Sequence, residues 1–236
     1  MSNSSLALII PAAGSGARLG SEVPKPYLEI AGKTILEHTL SRFTTISGLR
    51  EVVVSTSPQY VDSTGYILKT LFEGLKTTVV VGGVERQHSI RNALNSLSED
   101  VQFVAVHDAV RPFIDPDSIQ KCFEAAIKAG GAIIAVSAKD TIKISDGSKQ
   151  IVRTPNRKNL WQAQTPQIFK TDLLRQAYRK AEQDNFLGTD DASLLEYLGE
   201  KVLLVEGNRE NFKITFPLDL KFAEWLLTSD MKQDIK

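Results

Sequence analysis

The segment from Leu6 to Tyr27 reads LALIIPAAGSGARLGSEVPKPY. It opens with a short apolar run that is typical of a buried strand. Small residues follow, then Arg18, and then Lys25 between two prolines. A loop of this composition after a strand lets backbone N–H groups approach a phosphate while fixed cations lie close by. The segment therefore predicts a phosphate-binding loop at the carboxyl end of a first strand.

This loop differs from two common glycine-rich patterns. The P-loop pattern GxxxxGK[ST] is absent from the chain. The dinucleotide pattern GxGxxG fails at its last position, because Gly14 and Gly16 are followed by Leu19. A P-loop is therefore excluded, and a nicotinamide cofactor becomes the weaker interpretation. The prolines that flank Lys25 restrict its backbone, which favours a functional cation over an ordinary surface lysine.

The composition is that of an ordinary globular protein. Of the 236 residues, 42% are hydrophobic, and 28 basic residues balance 28 acidic ones. No net charge draws the chain to nucleic acid or to an anionic membrane, so anion recognition must be local. The single cysteine, Cys122, excludes an internal disulfide and points to a reducing compartment. Because the amino-terminal apolar run is too short for a signal peptide or a membrane span, we expect a cytoplasmic protein.

Apolar, strand-like runs alternate with segments of helical periodicity, which predicts a Rossmann-like, doubly wound α/β fold with a mostly parallel sheet. The predicted strands are Leu6–Ile10, Glu51–Ser55, Thr77–Val81, Val101–His107, Ala132–Val136, Val202–Val205 and Phe212–Thr215. The predicted helices lie near Ile35, Ile67, Ser89–Leu97, Ile119 and Leu173, with one opened by a Thr189 cap and a last one over Leu218–Leu227. No linker or internal repeat is evident, so we expect residues 1–236 to form one domain.

Unusual loops follow the predicted first, third and fourth strands: PAAGSGARLG, GGVERQHS and HDAVRPF. In doubly wound sheets, ligands bind outside the carboxyl ends of the strands. We therefore expect these loops to form one shared site. Gly82 and Gly83 could let a planar group approach the backbone near Ser89, although a tight strand-to-helix turn is the alternative. Asp108 is well placed to bind Mg²⁺ together with substrate phosphates, although a capping or turn aspartate is equally consistent with the pattern.

Residues 139–157 break the alternation. The segments DTIKIS and KQIVRTP flank Asp146-Gly147-Ser148, a pattern that predicts a β-hairpin arm. Ile142 and Ile144 would share one face of its first strand. An apolar face on an isolated two-stranded arm needs a cover. A partner subunit is the simplest cover, and packing on the same domain is the alternative.

Taken together, these motifs resemble those of the 2-C-methyl-D-erythritol 4-phosphate cytidylyltransferases of the non-mevalonate isoprenoid pathway. The resemblance rests on PAAGSGARLG with PKPYL, GGVERQHSI, HDAVRPF, DTIK, RKNLWQAQTPQIF, TDDASLLEYLG and VEGNRENFKIT, in that order. It implies a fold of the nucleotide-diphospho-sugar transferase type. It also implies a Mg²⁺-dependent reaction of CTP with the alcohol phosphate that yields the CDP-alcohol and pyrophosphate.

The resemblance also implies roles for individual residues. Arg18 and Lys25 match residues that stabilise the transition state at the α-phosphate. Arg157 and Lys213 also match catalytic residues, which bind and position the substrate phosphate. The matches for substrate binding are Asp108, Arg111, Thr141 and Thr165, of which Asp108 also lies near the metal. The matches for the nucleotide pocket are Pro11, Ala12, Ala13, Gly14, Gly16, Gly82, Gly83 and Ser89. In the family the arm reaches across a homodimer, so Thr141 and Arg157 would serve the neighbouring site.

One position departs from the family pattern, and three other functions stay open. Val84 stands where some members have an acidic residue after the glycine pair. A D-ribitol 5-phosphate cytidylyltransferase shares HDAVRPF and QTPQ, but PAAG and LWQAQTP favour the erythritol enzyme. An NAD-dependent oxidoreductase is disfavoured by the missing third glycine. A non-catalytic nucleotide-binding module would bind CTP without releasing pyrophosphate.

Overall fold

The computed structural model describes residues 4–14 and 23–233. Its strands are β1 (Leu6–Pro11), β2 (Glu29–Ile30), β3 (Lys33–Thr34), β4 (Leu49–Thr56), β5 (Lys76–Val81), β6 (Phe103–Val106), β7 (Gly131–Ser137), β8 (Ile144–Ser145), β9 (Ile151–Arg153), β10 (Trp161–Lys170) and β11 (Leu203–Glu206). Its helices are α1 (Ile35–Ser41), α2 (Val61–Leu71), α3 (Arg86–Asn95), α4 (Pro116–Ala129), α5 (Thr171–Gln183), α6 (Asp191–Leu198) and α7 (Pro217–Gln233).

A seven-stranded sheet in the order β11-β7-β10-β6-β1-β4-β5 forms the centre of the molecule. Strand β1 pairs in parallel with both β4 and β6, and β5 and β11 extend the sheet in parallel at its two edges. Helices cover both faces, as expected for strands that are joined by helical crossovers. The predicted α/β fold with a mostly parallel sheet is confirmed.

The first strand shows why the sheet needs helices on both faces. Leu6, Leu8 and Ile10 pack into a core cluster on one face of the sheet. Ala7 and Ile9 pack into a second cluster on the other face. Successive side chains of a strand point to opposite faces, and all of these are fully buried because both faces are covered. An uninterrupted apolar run therefore forms a central strand.

Strand β10 runs antiparallel to its neighbours β6 and β7, and the sequence did not reveal it. Its pairing with β7 is interrupted between Ala163 and Gln167. Polar residues and Pro166 occupy that interruption, and a proline cannot donate a ladder hydrogen bond. These residues interrupt the alternation of apolar and polar side chains from which a strand is predicted. Thr165 lies in this interruption, and its hydroxyl contacts His107 and Asp108, which follow β6.

Two local predictions outside the arm were wrong. Residues Phe212–Thr215 do not form a strand, because this segment is anchored to loops, for example by the Ile214 N–H that donates to Val110 O at 2.9 Å. Helix α6 is capped by Asp190 and not by Thr189, since the Asp190 carboxylate accepts from the Ser193 N–H at 2.9 Å. Across the described part of the chain, no helix is long and apolar enough to cross a membrane.

The predicted hairpin arm is present, although its strands β8 and β9 are shorter than expected. Asp146 closes the turn, and its Oδ1 accepts from the N–H groups of Ser148 and Gln150 at 2.9 and 3.0 Å. Ile142 lies before β8, so it does not share a strand face with Ile144 as predicted. The arm's apolar side chains are open to solvent, with Ile151 and Val152 exposed by 65% and 62%.

Candidate active site

The loops after β1, β5 and β6 line one cavity of about 490 Å³. Its lining residues are Pro11, Ala12, Ala13, Gly14, Lys25, Pro26, Gly83, Val84, Glu85, Arg86, Ser89, Asp108, Ala109, Val110 and Lys213. The structure thus brings together the three loops that the sequence singled out. We call this cavity the first cavity. Gly16 and Arg18, which belong to the same loop in the sequence, lie outside the described residues.

A second cavity of about 290 Å³ adjoins the first. Its lining residues are Arg86, Asp108, Arg111, Ala163, Gln164, Thr165, Gln167, Thr189, Asp190 and Lys213. The two cavities share Arg86, Asp108 and Lys213. A charged junction therefore separates a cavity lined by glycine-containing turns from one lined by charged, amide and hydroxyl side chains.

Asp108 is the centre of this junction. Its Oδ1 lies 3.3 Å from Arg86 Nε, and its Oδ2 lies 3.2 Å from Arg111 Nε and 3.0 Å from Lys213 Nζ. Burial alone would raise the pKa of Asp108, but Arg86, Lys213 and Arg111 outweigh that effect and hold the pKa well below its ordinary range. Asp108 is therefore ionised, and it holds three cations side by side.

Arg86 links this carboxylate to a second one, and the sequence reasoning missed it. Its Nη1 lies 2.9 Å from Asp191 Oδ2, and Tyr178 donates to the other oxygen of Asp191 at 2.5 Å. Arg86 is the first residue of α3, where the helix dipole disfavours a positive charge. A cation at that place needs anionic partners, and this was the available signal in GGVERQHS. Burial disfavours the charged form, but Asp191 and Asp108 outweigh it, so the pKa of Arg86 is raised.

The neighbouring histidine, His107, is neutral, and both of its ring nitrogens are hydrogen-bonded. His107 is fully buried, and mainly for that reason its pKa is lowered to about 4. Its Nε2 lies 3.1 Å from Arg111 O, which accepts only, so Nε2 carries the hydrogen. Its Nδ1 must then accept from the Thr165 hydroxyl, 3.0 Å away. His107 therefore has no nitrogen left for a reacting group.

The Thr165 hydroxyl belongs to the same hydrogen-bond network. Besides donating to His107, it accepts from the Asp108 N–H at 3.0 Å. Thr165 is 4% exposed and lines the second cavity. Its hydrogen is already committed to His107, so in this arrangement the side chain positions the Asp108 main chain and has no hydrogen to offer a phosphate. Its predicted role in binding the substrate phosphate stays a prediction.

Lys213 reaches the junction from an irregular segment that Asn211 holds in place. The Asn211 amide donates to Thr165 O at 2.9 Å and to Gln164 Oε1 at 3.0 Å. Arg111 Nη1 donates to Asn211 O at 2.7 Å. Asn211 is fully buried, which is unusual for an asparagine and reflects this anchoring. The sequence offered only the polar segment NREN as a signal for it.

Lys25 is held by its own short 3-10 turn, Lys25–Tyr27, which follows Pro24. Its Nζ donates to Thr215 O at 2.9 Å, and the side chain lines the first cavity. Tyr27 anchors the turn by stacking on Tyr60 with ring centroids 3.9 Å apart. The predicted rigid placement of this lysine therefore has a structural basis.

The glycine pair is explained by packing within the chain. A Cβ at Gly82 would lie 2.2 Å from Ala13 Cβ, and one at Gly83 would lie 2.4 Å from His88 Cβ. Ser89 fastens the turn, because its Oγ accepts from the Gly83 N–H at 3.0 Å. The tight-turn interpretation accounts for these contacts by itself. Direct nucleotide contacts to Gly82, Gly83 and Ser89 stay predictions.

The arm residues are not brought to either cavity. Thr141 and Arg157 are exposed and belong to neither lining, and Arg157 Nη1 donates to Lys139 O at 3.2 Å. Within one chain, the arm and the two cavities are therefore separate features. The role of Thr141 and Arg157 in a neighbouring site stays a prediction.

The site offers little to a metal held by protein alone. In residues 4–14 and 23–233, no group of three or more His, Cys, Asp or Glu side chains is arranged around a possible ion. Both oxygens of Asp108 already contact cations. Mg²⁺, however, usually binds through one or two carboxylates together with substrate phosphates and keeps several waters. The residues present fit an ion that phosphates carry into the first cavity beside Asp108.

Comparison with known proteins agrees with this arrangement. Residues 6–229 match the family model "IspD: 2-C-methyl-D-erythritol 4-phosphate cytidylyltransferase". A protein of that name from Caldanaerobacter subterraneus is 40% identical over 223 residues, which covers 93% of this chain and 97% of the relative. A chloroplastic relative from Oryza sativa is 37% identical over 94% of this chain and 74% of its own length.

Solved structures give the same result. The crystal structure of 4-diphosphocytidyl-2C-methyl-D-erythritol synthase from Anaerococcus prevotii is 32% identical, has a TM-score of 0.87 and covers 96% of this chain and 97% of that one. The Thermus thermophilus 2-C-methyl-D-erythritol 4-phosphate cytidylyltransferase is 35% identical with a TM-score of 0.77, over 94% of this chain and 98% of that one. The chain therefore belongs to the 2-C-methyl-D-erythritol 4-phosphate cytidylyltransferase family.

Proposed function

We propose that this protein joins CTP to 2-C-methyl-D-erythritol 4-phosphate, forming 4-diphosphocytidyl-2-C-methyl-D-erythritol and pyrophosphate in the non-mevalonate isoprenoid pathway. The observation that carries this conclusion is the pair of adjoining cavities that share Arg86, Asp108 and Lys213. Two anionic substrates can meet across such a junction, because its cations reduce their mutual repulsion.

The first cavity takes the nucleotide and the second takes the alcohol phosphate. The small residues Pro11–Gly14 and the turn at Gly83 give the first cavity a wall that is mostly backbone, which suits a nucleotide. The second cavity presents Arg111 and Lys213, which suit a phosphate monoester. The shared residues lie where the attacking phosphate oxygen and the α-phosphorus must approach each other.

The reaction is a displacement at phosphorus. An oxygen of the alcohol phosphate forms a bond to the α-phosphorus of CTP, and the bond from that phosphorus to the bridging oxygen breaks. Pyrophosphate leaves with the electron pair. The attacking oxygen is already anionic at neutral pH, so no general base is needed. The neutral, fully hydrogen-bonded state of His107 is consistent with this, since it cannot serve as one.

Catalysis then depends on placing positive charge around the phosphorus under attack. Lys25 supplies a cation from the rigid turn beside the first cavity, and Arg18 is proposed to supply a second. Lys213 is about 40% exposed, so it can contact an incoming phosphate while Asp108 keeps it in place. A divalent metal, proposed to be Mg²⁺, would neutralise triphosphate charge beside Asp108 when bound.

The arm is proposed to complete the site in a homodimer. Its exposed apolar side chains need a cover, and a second copy of the chain can provide one. Thr141 and Arg157 would then reach the partner's second cavity. We propose that residues 1–236 form one catalytic domain with an arm at 139–157. The buried, unpaired Cys122 supports a cytoplasmic location.

A pyrophosphate-release assay with CTP, Mg²⁺ and 2-C-methyl-D-erythritol 4-phosphate tests the function. We expect turnover that needs all three components and that is much slower with D-ribitol 5-phosphate. Preference for ribitol phosphate would contradict the substrate assignment. CTP binding without pyrophosphate release would indicate a binding module, and calorimetric binding of NAD with no CTP turnover would favour an oxidoreductase.

A further inference from the structure

The side chain of Gln87 holds a distant loop by two main-chain hydrogen bonds. Its Nε2 donates to Phe186 O at 3.1 Å, and its Oε1 accepts from the Gly188 N–H at 2.9 Å. A carbonyl and an N–H group require this orientation of the amide. Gln87 lies in the first turn of α3, and the bonded loop joins α5 to α6. One side chain therefore connects two segments that are far apart in sequence.

The end of the loop that Gln87 bonds, Gly188, is followed directly by residues that line the second cavity. Thr189 and Asp190, which follow Gly188, both line that cavity. Asp190 is fixed from the other side, because its Oδ2 accepts from Gln167 Nε2 at 2.8 Å. Thr189 thus lies between two anchored residues. Gly188 is closely packed, since a Cβ there would lie 2.6 Å from Leu194 Cδ2.

The other end of the loop has its own supports. The Phe186 N–H donates to Ala181 O at 2.8 Å, and the Phe186 ring stacks on Tyr197 with centroids 4.2 Å apart. Loss of Gln87 would therefore leave Phe186 in place. What Gln87 adds is the position of Gly188, and with it the position of Thr189.

Gln87 is also next to the shared junction. The preceding residue, Arg86, contacts Asp108 and lines both cavities, and Ser89 in the same turn lines the first. The Gln87 side chain itself lines neither of these two cavities. Its two bonds go to Phe186 and Gly188, in the loop whose next residues, Thr189 and Asp190, line the second cavity but not the first. Substitution of Gln87 should therefore change the KM for the alcohol phosphate and leave the KM for CTP unchanged.

We propose that Gln87 is a positioning residue for the alcohol phosphate. Through the Gly188 N–H it holds Thr189 against the second cavity, and it supports substrate binding there without touching the substrate. The inference rests on the proposed assignment of the second cavity to 2-C-methyl-D-erythritol 4-phosphate. It concerns binding and leaves the chemical step to the cations of the junction.

Steady-state kinetics of Gln87→Ala and Gln87→Glu test the inference, with each substrate varied in turn. For Gln87→Ala we expect the KM for the alcohol phosphate to rise about fivefold to tenfold, the effect of losing one or two neutral hydrogen bonds. The KM for CTP and kcat should stay within about twofold. Gln183→Glu, at the exposed end of α5, is the matched control and should change neither KM.

The glutamate variant adds a readout that a purely structural role would not move. An ionised carboxylate repels Phe186 O, and this repulsion should displace it from the Gly188 N–H as well, whereas a protonated carboxyl can donate to Phe186 O and accept from Gly188. The KM for the alcohol phosphate of Gln87→Glu, divided by that of the unmodified enzyme, should therefore fall as the pH is lowered. A ratio that is independent of pH would contradict the proposed contact.

A double-mutant cycle shows whether Gln87 acts through Thr189. If it does, Gln87→Ala should add little to the KM of Thr189→Ala, whereas independent action gives additive effects. Additive effects, an unchanged KM for the alcohol phosphate, or an equal rise in both KM values would overturn the inference. These results are distinct from failure of the proposed function, in which the unmodified enzyme and Gln183→Glu would release no pyrophosphate.

Discussion

The buried junction around Asp108 and the exposed arm at 139–157 both contain residues that match substrate-binding residues of the family. Their side chains, however, are held in different ways. Asp108 is 7% exposed, and its carboxylate contacts Arg86, Arg111 and Lys213. The Arg157 side chain is exposed, and its one hydrogen bond within the described chain goes to the main-chain oxygen of Lys139. The chain's own packing places the junction. The arm's groups have no comparable set of side-chain partners within the described chain, so we propose that a second molecule places them.

The difference also separates stability from activity. Junction residues are bound to one another, so changing them affects both the fold and the chemistry. Arm residues contribute few contacts within the chain, so changing them should affect assembly and chemistry alone. The following experiments test this contrast, from the largest expected effect to the smallest.

Removal of the arm should have the largest effect on activity. The base of the arm is closed by the Ala138 N–H, which donates to Leu160 O at 2.9 Å, so residues 139–157 can be replaced by a short turn. We expect a soluble, folded monomer that is inactive, because under the proposed dimer Thr141 and Arg157 would both be lost from the partner's site. Light scattering, circular dichroism and pyrophosphate release measure these properties. An active, dimeric deletion variant would show that the arm serves neither purpose.

Substitution of Lys25 by alanine should abolish most turnover without unfolding the protein. Loss of one preorganised cation at a developing charge costs about 10² to 10³ in kcat. Lys69→Ala, at an exposed position on α2, is the matched control and should remain fully active. Arg18→Ala is expected to behave like Lys25→Ala. Near-normal kcat for Lys25→Ala would remove this lysine from the mechanism.

Asp108→Asn should destabilise the fold as well as reduce activity. It leaves three cations without their central carboxylate. We expect the free energy of unfolding to fall by roughly 2 kcal/mol, below the range for fully buried pairs because Arg86 and Lys213 are partly exposed. Urea unfolding measures the change. Asp146→Asn in the arm is the comparison, and an equal loss of stability there would contradict the contrast between the two regions.

His107 should make stability depend on pH with the smallest effect of the four. Its pKa is lowered to about 4 in the fold, so below the ordinary value near 6.5 the unfolded chain binds more protons. The contribution of neutral His107 to the free energy of unfolding should therefore be almost fully present at neutral pH. The free energy of unfolding should fall by about 1 kcal/mol between pH 7 and pH 5.5. Urea unfolding at several pH values, compared with His107→Gln, measures this part. An unchanged slope in the variant would assign the pH dependence to other groups.

Much of the fold could be predicted because central strands of a parallel sheet are apolar on both faces. Leu6–Ile10 and Ala132–Val136 are continuous apolar runs, and both are strands. Strand β10 was missed because Gln164, Thr165 and Pro166 interrupt its pattern. The predicted strand at Phe212–Thr215 was wrong because its polar and apolar residues alternate for another reason, the anchoring of a loop.

The candidate site was predictable to a similar extent. Three loops with small and charged residues follow parallel strands, so their convergence was expected, and they line one cavity. Arg86 was overlooked although it stood within a quoted motif, because no local pattern names its partners Asp108 and Asp191. The same is true of Asn211 and Gln87, whose bonding partners lie in other segments.

The sequence by itself determined the doubly wound α/β class and the family resemblance, and it predicted a phosphate-binding first loop. These properties depend on local composition and on the order of motifs along the chain. Only the tertiary structure decided that Asp108 holds three cations, that the Thr165 hydroxyl is committed to His107, and that a charged junction joins two cavities. Hydrogen bonds and ion pairs between distant segments have no local signature, because their energy depends on distances that only the folded chain establishes.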